Sequence, residues 1–256
     1  MSDTKSDIVC YSFFKEFKEY KEYEGAMNHV FSRDKLNTNC DSYLNDVQKF
    51  GTEKANDVCV KFKILCKLIE SKKKGPETRK LDHKDYAFLN YWLNSKLRNG
   101  DTSNKLTVQE FQSQINEYEY EFWGVTFDKK LYDIKDEDFN NMILLSDLYD
   151  YMAQNFHSIS KLGEKKTPCI GYFEKYINTY KQGIIQCPHD DTSFCKALTH
   201  FKGDYERKIL GVDGISEKCM DRENLLLPTY GDVSLERKNT IVGSILTFKL
   251  LMKWHN

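Results

Sequence analysis

Apolar side chains recur at three- and four-residue spacing along most of this chain, and that period predicts amphipathic helices. In the first predicted helix, residues 11–30, the apolar positions are Phe13, Phe14, Phe17 and Tyr20, with Lys and Glu between them. Further helices are predicted over residues 41–50, 53–70, 86–97, 107–122, 137–162, 169–184 and 193–209. Because only 4 Pro and 13 Gly interrupt 256 residues, few positions force a turn. The pattern therefore predicts an all-α fold, an irregular multi-helix bundle.

Local signals support two of the predicted helix starts. Thr107 and Glu110 have the spacing of a capping box, in which each side chain bonds the other residue's backbone amide. Thr167 followed by Pro168 predicts an N-cap with proline at the first helical position. Both signals place a helix directly after the polar residue.

The stretch Phe88–Asn94 combines aromatic and leucine side chains with two asparagines. It lies within the predicted helix 86–97 and carries no catalytic signature. We expect Leu89, Tyr91 and Trp92 to form structural core, with Trp92 docked against the helix 53–70.

Composition divides the chain into three expected parts. Residues 1–210 form a helical, cysteine-rich domain; residues 211–240, which contain Pro228 and Gly231, form a loose, linker-like region; and residues 241–256 form a short apolar segment interrupted by Lys249. A spanning helix needs ~20 apolar residues. We therefore expect a docked or interfacial helix at 241–256, with a truncated membrane anchor as the alternative.

Charge and motifs exclude several functional classes. Lys+Arg number 38 and Asp+Glu 39, whereas a nucleic-acid partner favours a basic excess or stripe. We find no phosphate-binding loop, nucleotide fingerprint or nucleophile elbow, so we expect no catalytic residue, no cofactor and no nucleic-acid partner.

Asp82, His83 and Asp85 could be read as an acid–base cluster. Their place at a helix start favours capping instead.

Eight cysteines are candidates for structural disulfides: Cys10, Cys40, Cys59, Cys66, Cys169, Cys187, Cys195 and Cys219. Their even number suggests an oxidising compartment, yet residues 1–8 are polar and no signal peptide is recognisable. A non-standard export route or an internal signal would reconcile the two observations.

Helical spacing restricts how these cysteines can pair. Cys59 and Cys66 lie seven residues apart in one predicted helix, about 10 Å along its axis, whereas a disulfide needs Cα atoms within ~7 Å. We therefore predict that they are not bonded to each other. Each would reach another element, for example the segments holding Cys10 and Cys40; the alternative is two buried free thiols.

A zinc site is a competing interpretation of the later cysteines. Cys187, His189, Cys195 and His200 are suitable ligand types, but Cys-Pro-His is not a usual zinc knuckle. The pattern favours disulfide cysteines with surface histidines.

Three segments together resemble the Vir proteins of the Plasmodium interspersed repeat superfamily: residues 59–68, 88–97 and 169–205. The first segment begins at Cys59 and also contains Cys66. The resemblance extends from Cys10 to about residue 205. It implies a helical, disulfide-stapled, non-enzymatic variant antigen that is exported to the infected red cell. Antigenic variation, immune evasion and adhesion to a host receptor are its expected roles, and host receptors or antibodies its expected partners.

This chain departs from the family pattern at two places. Tyr86 stands where many members carry a cysteine, and residues 241–254 are shorter than a complete transmembrane helix. The second departure leaves open a soluble effector in the host-cell cytoplasm as the alternative to an antigen on the cell surface. Polar loops 71–80 and 99–105 are the expected contact or epitope regions, because loops tolerate change.

Overall fold

A computed structural model describes residues 11–33, 40, 43, 49–73, 80–98, 106–119, 127, 129–162, 165–189, 191–212 and 214–241. The chain forms two compact units, Met1–Met142 and Ile143–Asn256. The boundary between the two units falls inside one long helix.

The first unit is built from helices and one small hairpin. After a 3-10 helix at Ser12–Glu16 come α1 (Phe17–Arg33), β1 (Lys49–Phe50), β2 (Glu53–Lys54), α2 (Ala55–Lys72), α3 (His83–Arg98), α4 (Val108–Tyr118) and the first turns of α5 (Asp136–Ser160).

The second unit continues α5 and is also helical. It contains α6 (Ile170–Ile184), α7 (Ser193–Lys208), 3-10 helices at Ile215–Lys218 and Arg222–Leu225, and α8 over residues 230–241. The predicted all-α, disulfide-stapled fold is confirmed by this architecture and by three disulfides.

Aromatic side chains fill the core of the first unit. Leu89, Tyr91 and Trp92 are buried, and the Trp92 ring lies 6.3 Å from the ring of Phe62 on α2. Phe62 in turn meets Phe111 of α4 edge-on at 5.4 Å. The expected docking of Trp92 on the helix with Cys59 and Cys66 is therefore observed. Such aromatic pairs add to the free energy of burial through their edge and face electrostatics.

Two buried asparagines of α3 hold an irregular segment against the core. Asn90 Oδ1 accepts a hydrogen bond from the Tyr132 amide at 2.9 Å, and Asn94 Oδ1 accepts one from the Ile134 amide at 2.9 Å. Asn94 Nδ2 donates to the Tyr132 carbonyl at 3.0 Å. These contacts satisfy backbone groups that would otherwise be buried without partners.

The core of the second unit is a stack of aromatic rings between α6 and α7. The rings of Tyr176 and Tyr205 are stacked 5.0 Å apart, and Phe173 meets Tyr205 edge-on at 6.2 Å. A Cβ atom on Gly183 would lie 3.2 Å from Leu198 Cδ2, so glycine allows α6 to approach α7 closely. The Tyr205 hydroxyl donates to the Leu225 carbonyl at 2.6 Å and fixes the following segment.

Two local predictions about helix starts need correction. Lys49–Phe50 pairs as a strand with Glu53–Lys54, so the expected helices 41–50 and 53–70 give way to a hairpin at this point; residues 41, 42 and 44–48 lie outside the described part. The N-cap predicted at Thr167 is also wrong, because α6 begins at Ile170. Thr167 instead forms a β-bridge with Cys219.

The start of α6 is capped by a residue distant in sequence. Asp221 accepts hydrogen bonds from the amides of Cys169 and Ile170 at 2.7 and 2.9 Å. Partial burial opposes ionisation of this carboxyl, but the two amide bonds outweigh it and lower the pKa of Asp221. The segment that carries Asp221 is thereby tied to α6.

The region 211–240, for which a loose linker was expected, contains regular structure in its described residues. They form two 3-10 helices and most of α8, and Leu225, Leu227 and Val233 are buried. These apolar side chains, together with the bonds at Asp221, anchor the segment. Within the described residues, no helix is both long enough and apolar enough to span a membrane; the apolar segment 242–256 lies outside them.

Three disulfides use six of the eight candidate cysteines: Cys40–Cys59, Cys169–Cys219 and Cys187–Cys195. Cys59 and Cys66 are not bonded to each other, as helical spacing predicted. Cys66 is a buried free thiol, which corrects its assignment as a disulfide candidate. Cys66 lies on α2, and its side chain is fully buried. Cys10 lies outside the described residues.

Candidate functional site: a charged cleft at the start of α3

A cleft of about 220 Å³ opens between four elements of the first unit. Glu16 ends the first 3-10 helix, and α1, α2 with the residue that follows it, and the start of α3 supply the remaining walls. The other lining residues are Glu19, Tyr20, Tyr23, Ile69, Lys72, Lys73, Asp82, Lys84 and Asp85.

Helical periodicity explains one wall of the cleft. Glu16, Glu19, Tyr20 and Tyr23 are spaced three, four and seven residues from the first, so they share one face. Tyr20 is buried and stacks on Phe88 of α3 with ring centroids 4.5 Å apart. The stacking holds this face of α1 against α3.

A capping box at the start of α3 forms the opposite wall. Asp82 Oδ1 accepts hydrogen bonds from the amides of Lys84 and Asp85 at 2.8 and 3.2 Å. Asp85 Oδ2 accepts one from the Asp82 amide at 2.7 Å. The predicted capping role of Asp82 and Asp85 is therefore confirmed, whereas His83 is exposed and takes no part in these bonds.

Asp85 is also the buried centre of the cleft, with a relative exposure of 2%. Its Oδ1 accepts a hydrogen bond from the Tyr20 hydroxyl at 2.9 Å, and its Oδ2 lies 2.5 Å from Lys73 Nζ. Lys73 Nζ also lies 2.7 Å from Asp82 Oδ2. One ammonium group is thus shared by two carboxylates, and it joins the end of α2 to the start of α3.

These contacts shift the pKa values of the groups that line the cleft. Burial opposes ionisation of Asp82, but hydrogen bonds from Lys73 and from the amides of Asp85 and Lys84 lower its pKa to about 2. Burial lowers the pKa of Lys73 less than the two aspartates raise it, so the net shift is upward. Burial, then the charge of Asp85, raises the pKa of Tyr20. All three groups keep their ordinary charge at neutral pH.

The remaining charges lie nearer the rim. Lys84 forms an ion pair with Glu16. Glu19 and Lys72 are exposed, and neither forms an ion pair with another described residue. The cleft therefore combines a fixed, buried network with two charges available to a ligand.

Cys66 lies near this network but is not a reactive group. Burial, and then the carboxylates of Glu70 and Asp85, raise the pKa of its thiol. Because the thiolate is the nucleophilic form, the buried thiol is inert at neutral pH. The cleft can therefore bind charged groups but has no activated cysteine.

The zinc interpretation of residues 187–200 does not fit the observed bonding. Cys187 and Cys195 form a disulfide, so neither supplies the thiolate that a zinc ligand needs. His200 Nε2 lies 3.9 Å from Asp204 Oδ2 in the same helix.

Two further cysteine pairs have a carboxylate within 4.8 Å of their sulfur atoms: Cys40–Cys59 with Glu119, and Cys169–Cys219 with Asp221. Both sulfur pairs are oxidised to disulfides. Neither group offers a metal site in this state.

The loops expected to make contacts are only partly described. Residues 74–79 and 99–105 lie outside the described part of the chain. On either side of residues 74–79 the chain is described. There Lys73 and Asp82 form an ion pair that lies at the cleft.

Sequence reasoning missed two members of the cleft. Tyr20 was predicted only as an apolar position, and Lys73 lies in the loop 71–80, which was expected only to be polar and to make contacts. A hydroxyl on a tyrosine at an apolar position is a weak signal of a buried polar partner. No local signal identified that partner as Asp85, because 65 residues separate them.

The fold and the cleft define an all-α, disulfide-stapled protein with a polar, charged site. Comparisons with protein-family models, with curated proteins and with solved structures found no match to this chain.

Proposed function

We propose that this chain is a non-enzymatic, Vir-like variant antigen, exported to the infected red cell and presented to host receptors and antibodies. The resemblance of residues 59–68, 88–97 and 169–205 motivates this assignment. Display at the cell surface, an oxidising environment, would account for a helical fold whose cysteines form disulfides.

The observation that carries the proposal is the use of the cysteines. Six of them form three buried disulfides in the two units, and the free thiol of Cys66 is buried. Cysteines used in this way stabilise a fold in an oxidising environment. They favour an exported structural scaffold over a thiol enzyme or a metal-binding protein.

The resembling segments support the same conclusion because they serve the core. Trp92 packs on α2, and Asn90 and Asn94 hold the backbone at residues 132–134. A scaffold maintained by such contacts leaves its surface loops free to vary. Antigenic variation requires this combination of a stable interior and variable loops.

Surface labelling of intact infected red cells tests the proposal. A membrane-impermeant amine reagent should label this chain in intact cells, while haemoglobin, the marker for leakage, remains unlabelled. Mass spectrometry of the unreduced protein should recover the three disulfides. Labelling only after permeabilisation would favour the soluble effector in the host-cell cytoplasm, and confinement to the parasite would contradict both roles.

A further inference from the structure

We propose that Cys169 and Cys219, once their disulfide is reduced, bind a zinc ion together with the carboxylate of Asp221. The site lies at the start of α6, in the second unit and outside the charged cleft. It goes beyond the proposed antigen function, because it concerns the chain in a reducing compartment such as the host-cell cytoplasm.

The first support is the convergence of three donor atoms of the types that zinc prefers. The Sγ atoms of Cys169 and Cys219 and a carboxylate oxygen of Asp221 all lie within 4.8 Å of one another. A tetrahedral zinc ion bonds thiolates at about 2.3 Å and carboxylate oxygens at about 2.0–2.2 Å, so its donors lie less than about 4 Å apart. We expect small rotations of the two cysteine side chains to reach that spacing once the sulfur–sulfur bond is open.

The second support is a backbone bridge that holds the two cysteines together independently of their disulfide. The Thr167 amide donates to the Lys218 carbonyl at 3.1 Å, and the Met220 amide donates to the Thr167 carbonyl at 3.0 Å. These two bonds flank Cys219 in the β-bridge with Thr167. Reduction breaks neither of them, so Cys219 remains beside Cys169 in the reduced chain.

The third support is the position of the carboxylate. Asp221 accepts hydrogen bonds from the amides of Cys169 and Ile170 at 2.7 and 2.9 Å, and each of its oxygens keeps a second lone pair for a metal. Hydrogen bonds of this kind orient a ligating carboxylate in metal sites. Asp221 is partly exposed, and the neighbouring Met220 is 66% exposed. An ion in solvent can therefore reach the oriented carboxylate.

The comparable group in the first unit is less suited to a metal. Cys40 and Cys59 also have a carboxylate nearby, that of Glu119. Glu119, however, pairs with Lys63 at 2.6 Å, and these two side chains are only 3% and 7% exposed. A metal at Glu119 would leave the Lys63 ammonium buried without its partner, which is costly. Asp221 forms no ion pair with another residue of the described part, so we assign the site to it.

The change from disulfide to metal site takes two steps. Two molecules of a low-molecular-weight thiol reduce the sulfur–sulfur bond, which yields two cysteine thiols and one molecule of the oxidised reductant. Zinc binding then forms two Zn–S bonds and one Zn–O bond, and both thiol protons pass to solvent. Water completes the tetrahedral shell. The metal thus joins residues 167–170 to residues 218–221 in place of the disulfide.

Zinc titration of the full chain tests the proposal. The chain is produced in a reducing cytoplasm and kept in a phosphine reductant, because free thiols would compete for the metal. Circular dichroism checks that the reduced chain is folded. We expect one zinc ion per chain by elemental analysis and a melting temperature that rises with zinc and falls again with a chelator. The oxidised chain should bind none.

Cobalt in place of zinc locates the site, since thiolate ligands give it a charge-transfer absorption band. The band should be lost when Cys169 and Cys219 are both replaced by serine. The matched control replaces Cys187 and Cys195 by serine, which removes the other cysteine pair of the second unit, and it should keep the band. The single variant Asp221→Asn retains an acceptor oxygen for the helix amides; its affinity for zinc should fall at least about tenfold.

Four results would overturn the proposal. The first is a folded, reduced chain that binds no zinc. The second is a cobalt band that persists without Cys169 and Cys219, and the third is an unchanged affinity in Asp221→Asn. The fourth is a reduced chain that stays unfolded even with zinc, because the hydrogen bonds at residues 167–170 would then not hold the donors together.

Discussion

The hydroxyl of Tyr20 donates a hydrogen bond to Oδ1 of Asp85, 65 residues further along the chain, over 2.9 Å. Both residues have a relative exposure of 2%. The bond joins α1 to the first turn of α3, and Lys73 completes the link from α2. Three helices therefore meet at one buried carboxylate.

Replacing Tyr20 with Phe should destabilise the protein. The ring can keep its place against Phe88, while Asp85 loses one hydrogen bond to a charged, buried group, a loss of about 1.5–3 kcal/mol. Urea unfolding measures the change. The control is Tyr23→Phe. Because the Tyr23 hydroxyl bonds no other described residue, this change should lower the free energy of unfolding by less than about 0.5 kcal/mol. Equal losses in the two variants would show that the bond to Asp85 contributes little.

The ion pair at Asp82 should make stability depend on pH in the acid range. Its folded pKa of about 2 lies below the ordinary value of 3.8. The stabilisation is therefore fully present above about pH 4 and is lost as the pH falls toward about 2. Asp82→Asn should lower stability at neutral pH and reduce the acid-induced loss. Urea unfolding at a series of pH values checks both effects; an unchanged slope in the variant would refute them.

Asn94→Ala should be more damaging than a typical polar substitution in a helix. It leaves the amide of Ile134 and the carbonyl of Tyr132 without their side-chain partner. An unsatisfied buried group costs about 1–3 kcal/mol, so the free energy of unfolding should fall by at least about 2 kcal/mol. Ser95→Ala is the neighbouring control, since among the described residues the Ser95 hydroxyl bonds the Trp92 carbonyl of its own helix and no other group. A similar small effect in both would contradict the assigned role.

The two disulfides of the second unit should differ in their contribution to stability. Cys169–Cys219 closes a separation of 50 residues, and Cys187–Cys195 one of 8. Restriction of the unfolded chain predicts about 4 kcal/mol for the first and about 2.5 kcal/mol for the second. Denaturant unfolding of the two double-alanine variants measures the difference. The reverse order would mean that native-state contacts, and not loop length, decide these contributions.

Cys66 should resist alkylation in the native protein. Its thiol is buried, and burial raises its pKa, so the thiolate is scarce and inaccessible. Iodoacetamide should modify the peptide that contains Cys66 only after denaturation, as followed by mass spectrometry without reduction. Rapid labelling of the folded chain, or recovery of Cys66 in a disulfide, would contradict this assignment.

The repeat of apolar residues at helical spacing was sufficient to predict the fold class and most helices. It was sufficient because each helix must bury one face, and that requirement is written locally in the chain. The same reasoning explains why the start of α4 at Thr107 was predicted and the hairpin was not. Capping depends on residues three apart, whereas strands of two residues carry no usable period.

Helical spacing also decided, without any structure, that Cys59 does not pair with Cys66. Which partner each cysteine has is a different question, because pairing requires two distant segments to bring Cβ atoms together. Tertiary structure decided that Cys59 bonds Cys40 and that Cys66 remains free. It likewise selected Asp221, in place of Thr167, as the cap of α6.

The sequence by itself thus determined most of the helices, the buried positions of Leu89, Tyr91 and Trp92, and the capping role of Asp82 and Asp85. Only the tertiary structure placed Tyr20 and Lys73 in contact with Asp85. The capping residues of α3 therefore also line a charged cleft. The physical reason is distance along the chain. Periodicity and caps act within one or two helical turns, whereas a buried carboxylate finds its partners among whichever helices pack around it.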